Sequence, residues 1–372
     1  MTEIFANPNR MPRGRAPRSE HGAEARAFHR RLPGYAATPL VSAPALAAGS
    51  DVANLWVKDE STRLGLPAFK ILGASWAVYR LLVDRLGHEP EWRALDDLRD
   101  AFSPLGRLQL VAATDGNHGR AVARMAALLG YESTILVPSG TARGRITSIE
   151  GEGASVTIVD GTYDDAVAAA AALAGTTTLV VSDTSWPGYT AVPNWVIEGY
   201  ATIFAEVDEQ LGSAVPDVVV VQMGVGALAA AVADHFADTS AVVAVEPDSA
   251  ACGMAAARAG HPVDVPGPHD SIMAGLNCGR VSIVAWPRIA AGVDVFVTVD
   301  DPAAERAMRA LAGVGIVAGE TGAAGLAGFD ALRGSDPVAS GIDLREANVL
   351  LLCTEGATDP IAYERIVGTP PR

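Results

Sequence analysis

Eight short apolar runs limit what this chain can fold into. They are "LWVK" from Leu55, "LQLVAAT" from Leu108, "STILV" from Ser133, "SVTIVD" from Ser155, "TLVVS" from Thr178, "DVVVV" from Asp217, "AVVAVE" from Ala241 and "NVLLLC" from Asn348. Most do not alternate apolar with polar positions, so neither face of such a strand is built for water. Between them lie longer alanine-rich stretches such as "GRAVARMAALLG" and "YDDAVAAAAALAG", whose composition favours helix. Buried strands separated by helices predict an α/β fold, with parallel twisted sheets covered by helices. A length of 372 residues suggests about two domains.

Charge and cysteine usage remove several classes of function. A net charge of −15 argues against a nucleic-acid binder, which needs a basic face. Three cysteines, Cys252, Cys278 and Cys353, are too few and too scattered for a secreted disulfide framework, and no CxxC or HExxH metal pattern occurs, so no metal site is expected. The longest apolar run, "VVVVQMGVGALAAAVA" from Val218, is broken by Gln222, Gly224 and Gly226, and reads as strand, turn and helix rather than a membrane span. The arginine- and proline-rich start, "NRMPRGRAPR", reads as an arm over the surface; Glu3, Glu20 and Glu24 argue against a transit peptide. The expectation is a cytoplasmic enzyme with no membrane or nucleic-acid partner.

In a parallel sheet, ligands collect where strands end and helices begin. Four such junctions carry chemistry: "VAATDGNHGRAVA" from Val111, "VSDTSWPGY" from Val181, "VVVVQMGVGALAAAV" from Val218 and "VLLLCTEGATDP" from Val349. The Gly224-Val225-Gly226-Ala227 turn can aim backbone N–H groups at a phosphate. It lacks the third glycine of a dinucleotide loop, because Ala229 stands there, and no lysine follows a glycine as a Walker loop requires. Asn117 or Asp115 is equally readable as a helix N-cap. "GASWA" at 73–77 lacks both the second glycine and the preceding strand of a hydrolase elbow.

The lysines sharpen the reading. Of 28 basic residues only two, Lys58 and Lys70, are lysines. Arginine stays protonated, whereas a desolvated lysine can lose its proton and attack a carbonyl. Lys70, in "LGLPAFKILGASWAVYR", sits between Phe69 and an apolar helix-like run, and is the candidate Schiff-base residue. Lys58, on "LWVK", is its rival.

Taken together, "AFK", "TDGNHG", "GVGAL" and "TEGATDP", in this order, resemble the fold type II pyridoxal-phosphate enzymes, the tryptophan synthase β-like group. Within that group the chain is most similar to the diaminopropionate ammonia-lyase family, through "ARAFHRRLPGYAATPLV", "LWVKDESTRLGLPAFKILGAS", "AATDGNHGRAVA", "DTSWPGYTAVPNWVIEGY", "QMGVGALAAAV", "SIMAGLNCG" and "TEGATDP". These stretches run from about Phe28 to Pro360.

The resemblance implies two domains, a larger one of residues 1–74 and 186–372 and a smaller inserted one of 75–185, with pyridoxal 5′-phosphate in the cleft between. It implies that Lys70 carries the cofactor and Asn117 meets its phenolic oxygen. Gly224, Val225, Gly226, Ala227 and Leu228 would bind its phosphate, and Thr354 would face its pyridine nitrogen. Asp115 and Asp183 would move protons, Asp183 for the L and Asp115 for the D enantiomer of 2,3-diaminopropionate. The implied reaction eliminates ammonia, and the resulting aminoacrylate hydrolyses to pyruvate and a second ammonia. A homodimer is implied, as is proximity of Cys252 and Cys278, as thiols or a labile bridge. The alternatives are a serine or threonine dehydratase-like lyase, a non-catalytic ligand sensor on the same fold, and, on the incomplete glycine pattern alone, a nicotinamide oxidoreductase.

Overall fold

The computed structural model describes residues 2–14, 22–114, 116–335 and 337–371. The chain divides into two units, one built on Ala37–Thr62 and Ile203–Arg372 with the chain start, the other on His21–Ala36 and Arg63–Thr202.

The larger unit holds a seven-stranded sheet in the order Ile4–Ala6, Val295–Val299, Ala241–Pro247, Val218–Gln222, Asn348–Cys353, Asn54–Asp59, Leu40–Ser42. Its five inner strands are parallel and its two edge strands antiparallel. The β-branched run that starts at Val218 explains its own position: valine suits a pleated ladder, and Val219, Val220 and Val221 are fully buried at the sheet centre. Parallel neighbours need crossover connections, which helices such as Ala227–Phe236 and Glu320–Arg333 supply.

The smaller unit holds a four-stranded parallel sheet in the order Ser155–Val159, Glu132–Pro138, Gln109–Ala113, Thr178–Val180. All eight apolar runs form strands, and both sheets carry helices between their parallel strands, as the α/β reading requires. Three strands were not among those runs. Ile4–Ala6 and Leu40–Ser42 are three-residue edges too short to show a pattern, and "VFVTV" at Val295–Val299 is a β-branched run the list passed over. The first of these places part of the N-terminal arm inside a sheet, paired with Val295–Val299.

Residues 22–36, 63–74 and 186–202, grouped by the sequence reading with the larger domain, belong here to the smaller unit. The physical reason for the last two is a close crossing of helix Lys70–Leu86 with helix Ala191–Leu211. A Cβ on Gly73 would come within 2.6 Å of the Tyr200 ring, and one on Gly199 within 2.5 Å of the Leu72 carbonyl oxygen. Two glycines let the backbones approach, and that contact binds both helices into one core.

Candidate active site

The smaller unit assembles a charged cluster from distant parts of the chain. Lys70 is the first residue of helix Lys70–Leu86. Its Nζ donates to Asp183 Oδ2 at 2.6 Å, across 113 positions of sequence. Asp183 follows strand Thr178–Val180 and is 4% exposed. Its other oxygen, Oδ1, accepts from Tyr163 Oη at 3.1 Å. Tyr163 opens helix Tyr163–Ala172, which is placed by a capping box between Thr162 and Asp165. His118 completes the group. Its Nε2 is 2.8 Å from the Val181 carbonyl, which can only accept, so Nε2 carries hydrogen and Nδ1 faces Asp183 Oδ2 at 4.0 Å.

Burial pushes the Asp183 carboxyl up, but the attraction of Lys70 and His118, with hydrogen bonds from Lys70 and Tyr163, prevails and holds it well below the usual carboxylate range. Asp183 is therefore ionised at neutral pH. Its backbone is braced by Tyr189, whose Oη accepts from Ser182 N at 3.0 Å and donates to the Val180 carbonyl at 2.7 Å. The Tyr189 ring stacks on Trp186 at 4.1 Å.

Asn117 is the first residue of helix Asn117–Leu129, whose N-cap is Gly116 at φ 154°; Asn117 itself is not the cap. Asp115, the other proton-transfer candidate, lies outside the described residues. Gly119 packs so tightly that a Cβ would meet Ile135 and Thr114 at 2.4 Å, which accounts for the second glycine of "GNHG" without invoking a ligand.

Lys58 behaves differently from Lys70. Its Nζ donates to Glu206 Oε2 at 2.8 Å, Gln210 Oε1 at 2.9 Å and the Thr38 carbonyl at 2.7 Å, which occupies all three of its hydrogens. Both charged side chains of this pair are 0% exposed. Lys58→Met would remove the countercharge that meets the buried Glu206 carboxylate, at a cost of about 3–5 kcal/mol in urea unfolding, and would leave the Lys70–Asp183 pair in place. A variant as stable as wild type would show that the pair contributes nothing.

On the larger unit, residues 223–226 join strand Val218–Gln222 to helix Ala227–Phe236. Gly226 is the N-cap at φ 96°, in the left-handed region that favours glycine, and a Cβ there would lie 2.5 Å from Ile289 Cδ1. Among the described residues no hydrogen bond occupies the N–H groups of Gly224, Val225, Gly226, Ala227 or Leu228. A row of N–H groups at a helix start is a fit for phosphate. Thr354, 2% exposed, follows strand Asn348–Cys353, and its Oγ1 accepts from Gln222 Nε2 at 2.7 Å. With that lone pair engaged, the hydroxyl hydrogen is available to an acceptor such as a pyridine nitrogen.

Cys252 and Cys278 both border Gly224: the Cys252 thiol lies 3.6 Å from its carbonyl, and Cys278 Sγ lies 3.2 Å from where a Gly224 Cβ would sit. All three cysteines are buried and outside any disulfide. Burial, then the nearby Glu246 and Cys278, push the Cys252 thiol up, so it stays protonated.

The sequence reading named Lys70, Asp183, Asn117, Thr354 and the glycine loop, and the first two meet directly. It assigned no chemistry to His118, Tyr163 or Tyr189, and passed over Gln222. Only Gln222 left a signal, a polar residue ending a run of four valines. Among the described residues there is no cluster able to hold a metal ion and no helix long and apolar enough to cross a membrane.

Comparison with known proteins places these features in context. Residues 31–354 match the family model described as pyridoxal-phosphate dependent enzyme. The chain is 37% identical over 369 residues to the diaminopropionate ammonia-lyase of Salmonella typhimurium, covering 93% of this chain and 91% of the relative. It superimposes on the crystal structure of Escherichia coli diaminopropionate ammonia lyase in complex with D-serine with a TM-score of 0.90 at 32% identity, covering 99% of this chain and 97% of that one. The same enzyme in complex with an aminoacrylate–PLP azomethine reaction intermediate gives a TM-score of 0.88 at 32% identity, again over 99% and 97%.

Proposed function

Since the chain belongs to the diaminopropionate ammonia-lyase family of pyridoxal-phosphate dependent enzymes, we propose that it converts 2,3-diaminopropionate and one water to pyruvate and two ammonia. The observation that carries the proposal is the Lys70–Asp183 pair, a lysine amine held 2.6 Å from a buried, ionised carboxylate.

The residues of each unit suit pyridoxal 5′-phosphate. On the smaller unit Lys70 would offer it an amine and Asn117 an amide; on the larger, residues 224–228 would offer a phosphate cradle and Thr354 a neutral hydroxyl donor. When bound, the cofactor withdraws electrons from the substrate α-carbon and so acidifies its proton. The protein contributes position and proton acceptors. Thr354 would donate a hydrogen bond to the pyridine nitrogen without adding charge, and so would not hold that nitrogen protonated. Gln222 Nε2 lies 2.7 Å from the Thr354 hydroxyl and 3.0 and 3.1 Å from the Thr321 and Leu352 carbonyls, and its two hydrogens are shared among these three acceptors, which fixes the amide.

Asp183 is the proposed acceptor of the α-proton of the L enantiomer, and Asp115 that of the D enantiomer. Asp183 is a weak base while the Lys70 charge draws on it. Whenever Lys70 is neutral, burial, the largest influence on this carboxyl, is less opposed, and its basicity rises. Tyr163 Oη steadies Oδ1, which leaves Oδ2 to take the proton. Carboxylates also attract the cationic 3-ammonium of a diamine, which a serine side chain would not need. A cytoplasmic homodimer belongs to the same proposal.

Counting products tests the reaction. Two ammonia per pyruvate from 2,3-diaminopropionate, with much slower turnover of serine, is the expected result. One ammonia per pyruvate from serine or threonine as the preferred substrate would move the chain to the dehydratases.

A further inference from the structure

The hydroxyl of Tyr200 has no structural duty. The residue is fully buried, and its Oη has no hydrogen-bond partner among the described residues. A buried hydroxyl left unsatisfied lowers stability, and phenylalanine would fill the same space without that penalty. The ring is nonetheless seated with care. Its centroid lies 4.7 Å from that of Phe69, the residue before Lys70. Its Cε1 and Cζ lie 2.6 and 2.8 Å from where a Cβ on Gly73 would stand, so only glycine admits it.

Gly73 is three positions beyond Lys70 on one helix, and residues so spaced share a face. Tyr200 thus packs on the face of the helix that presents Lys70. Lys70 Nζ lies 5.6 Å from the centroid of that same Phe69 ring, so the amine and the Tyr200 ring border one side chain, and the phenol senses both Lys70 and Asp183. Burial pushes the phenol well up, Lys70 offsets this and Asp183 adds to it, with burial prevailing. Oη therefore keeps its hydrogen at every pH at which the enzyme would work, and can donate to a neutral amine.

We propose that Tyr200 is a positioning residue for Lys70: when the Lys70 amine turns from Asp183, Oη becomes its hydrogen-bond partner and holds it, neutral, in place. The inference rests on the reading of Lys70 as the cofactor lysine and adds to it a second partner, used in a different part of the cycle. The groups facing that amine are then Asp183, with His118 and Tyr163 around it, and Tyr200.

The test is Tyr200→Phe in the holoenzyme. Removal of an idle hydroxyl leaves Tm unchanged or raises it and leaves kinetics alone. The expected result instead pairs an unchanged or raised Tm with a kcat reduced about three- to tenfold at constant KM, the worth of one hydrogen bond made only during turnover. The limb of the pH–rate profile that rises with pH should also move to higher pH, because the neutral amine has lost a donor. A wild-type kcat and pH profile overturns the inference, as does a fall in Tm that accompanies the loss of kcat. Lys70→Ala separates the two levels. An inactive Lys70→Ala beside a fully active Tyr200→Phe removes this inference alone, whereas an active Lys70→Ala removes the reading beneath it.

Discussion

Lys70→Ala lowers pyruvate formation by about 10³-fold or more and removes the visible absorption of bound cofactor, with the far-ultraviolet circular dichroism of the wild type retained. Three features make the expectation this strong. The other lysine has every Nζ hydrogen bonded and its own side chain wholly buried, so it cannot stand in. Alanine is the best helix former, and position 70 begins a 17-residue helix, so the substitution does not threaten the element that carries it. The Asp183 carboxylate does lose its main countercharge, but it keeps the Tyr163 hydrogen bond and can take up a proton. Cofactor absorbance that persists after borohydride reduction and denaturation, with full turnover, would place the covalent attachment elsewhere.

Asp183→Asn gives the second large effect, a loss of about 10²–10⁴-fold in kcat on the L enantiomer, the range for a missing general base. Asparagine keeps the shape, and its amide oxygen can still accept from Tyr163 Oη. It removes the negative charge that Lys70 Nζ meets at 2.6 Å, so a part of the loss is shared by both enantiomers. The excess loss on the L enantiomer reports the base itself. KM for either enantiomer should change far less than kcat. Losses equal on the two enantiomers would reduce Asp183 to a partner of Lys70, and a loss concentrated on the D enantiomer would reverse the two aspartates.

Much of the fold was readable because buried parallel strands have a composition of their own. "DVVVV" and "NVLLLC" could hardly be anything else, and the helix-forming alanine tracts filled the gaps. The three-residue edge strands were not readable: three residues are too few to show a pattern, and while Leu40–Ser42 pairs with the nearby Asn54–Asp59, Ile4–Ala6 pairs with a strand hundreds of positions away. Lys70 stood out because lysine is so rare here, and Thr354 and the glycine loop because they sit where strands end.

The environment of Asp183 was hidden for a different reason. Tyr163 begins an alanine-rich helix that local sequence explains completely, and only the sheet order brings it to Asp183, 20 positions later. His118 was legible as a residue and not as a neighbour. Tyr189 works through backbone groups, which carry no sequence signature. The grouping of residues 63–74 and 186–202 with the smaller unit depends on Gly73 and Gly199 facing one another across two helices. Neither glycine announces that alone.

The contrast between the two lysines also turns the chain into its own reporter. Lys58 is sealed with Glu206 at 0% exposure, whereas the Lys70 side chain keeps 19% of its surface open. Apart from the terminal amine, an amine-directed reagent applied to the folded protein therefore meets a single side chain. Covalent tagging followed by peptide mass spectrometry reads the accessibility of Lys70 directly, with no need to mutate competing lysines away.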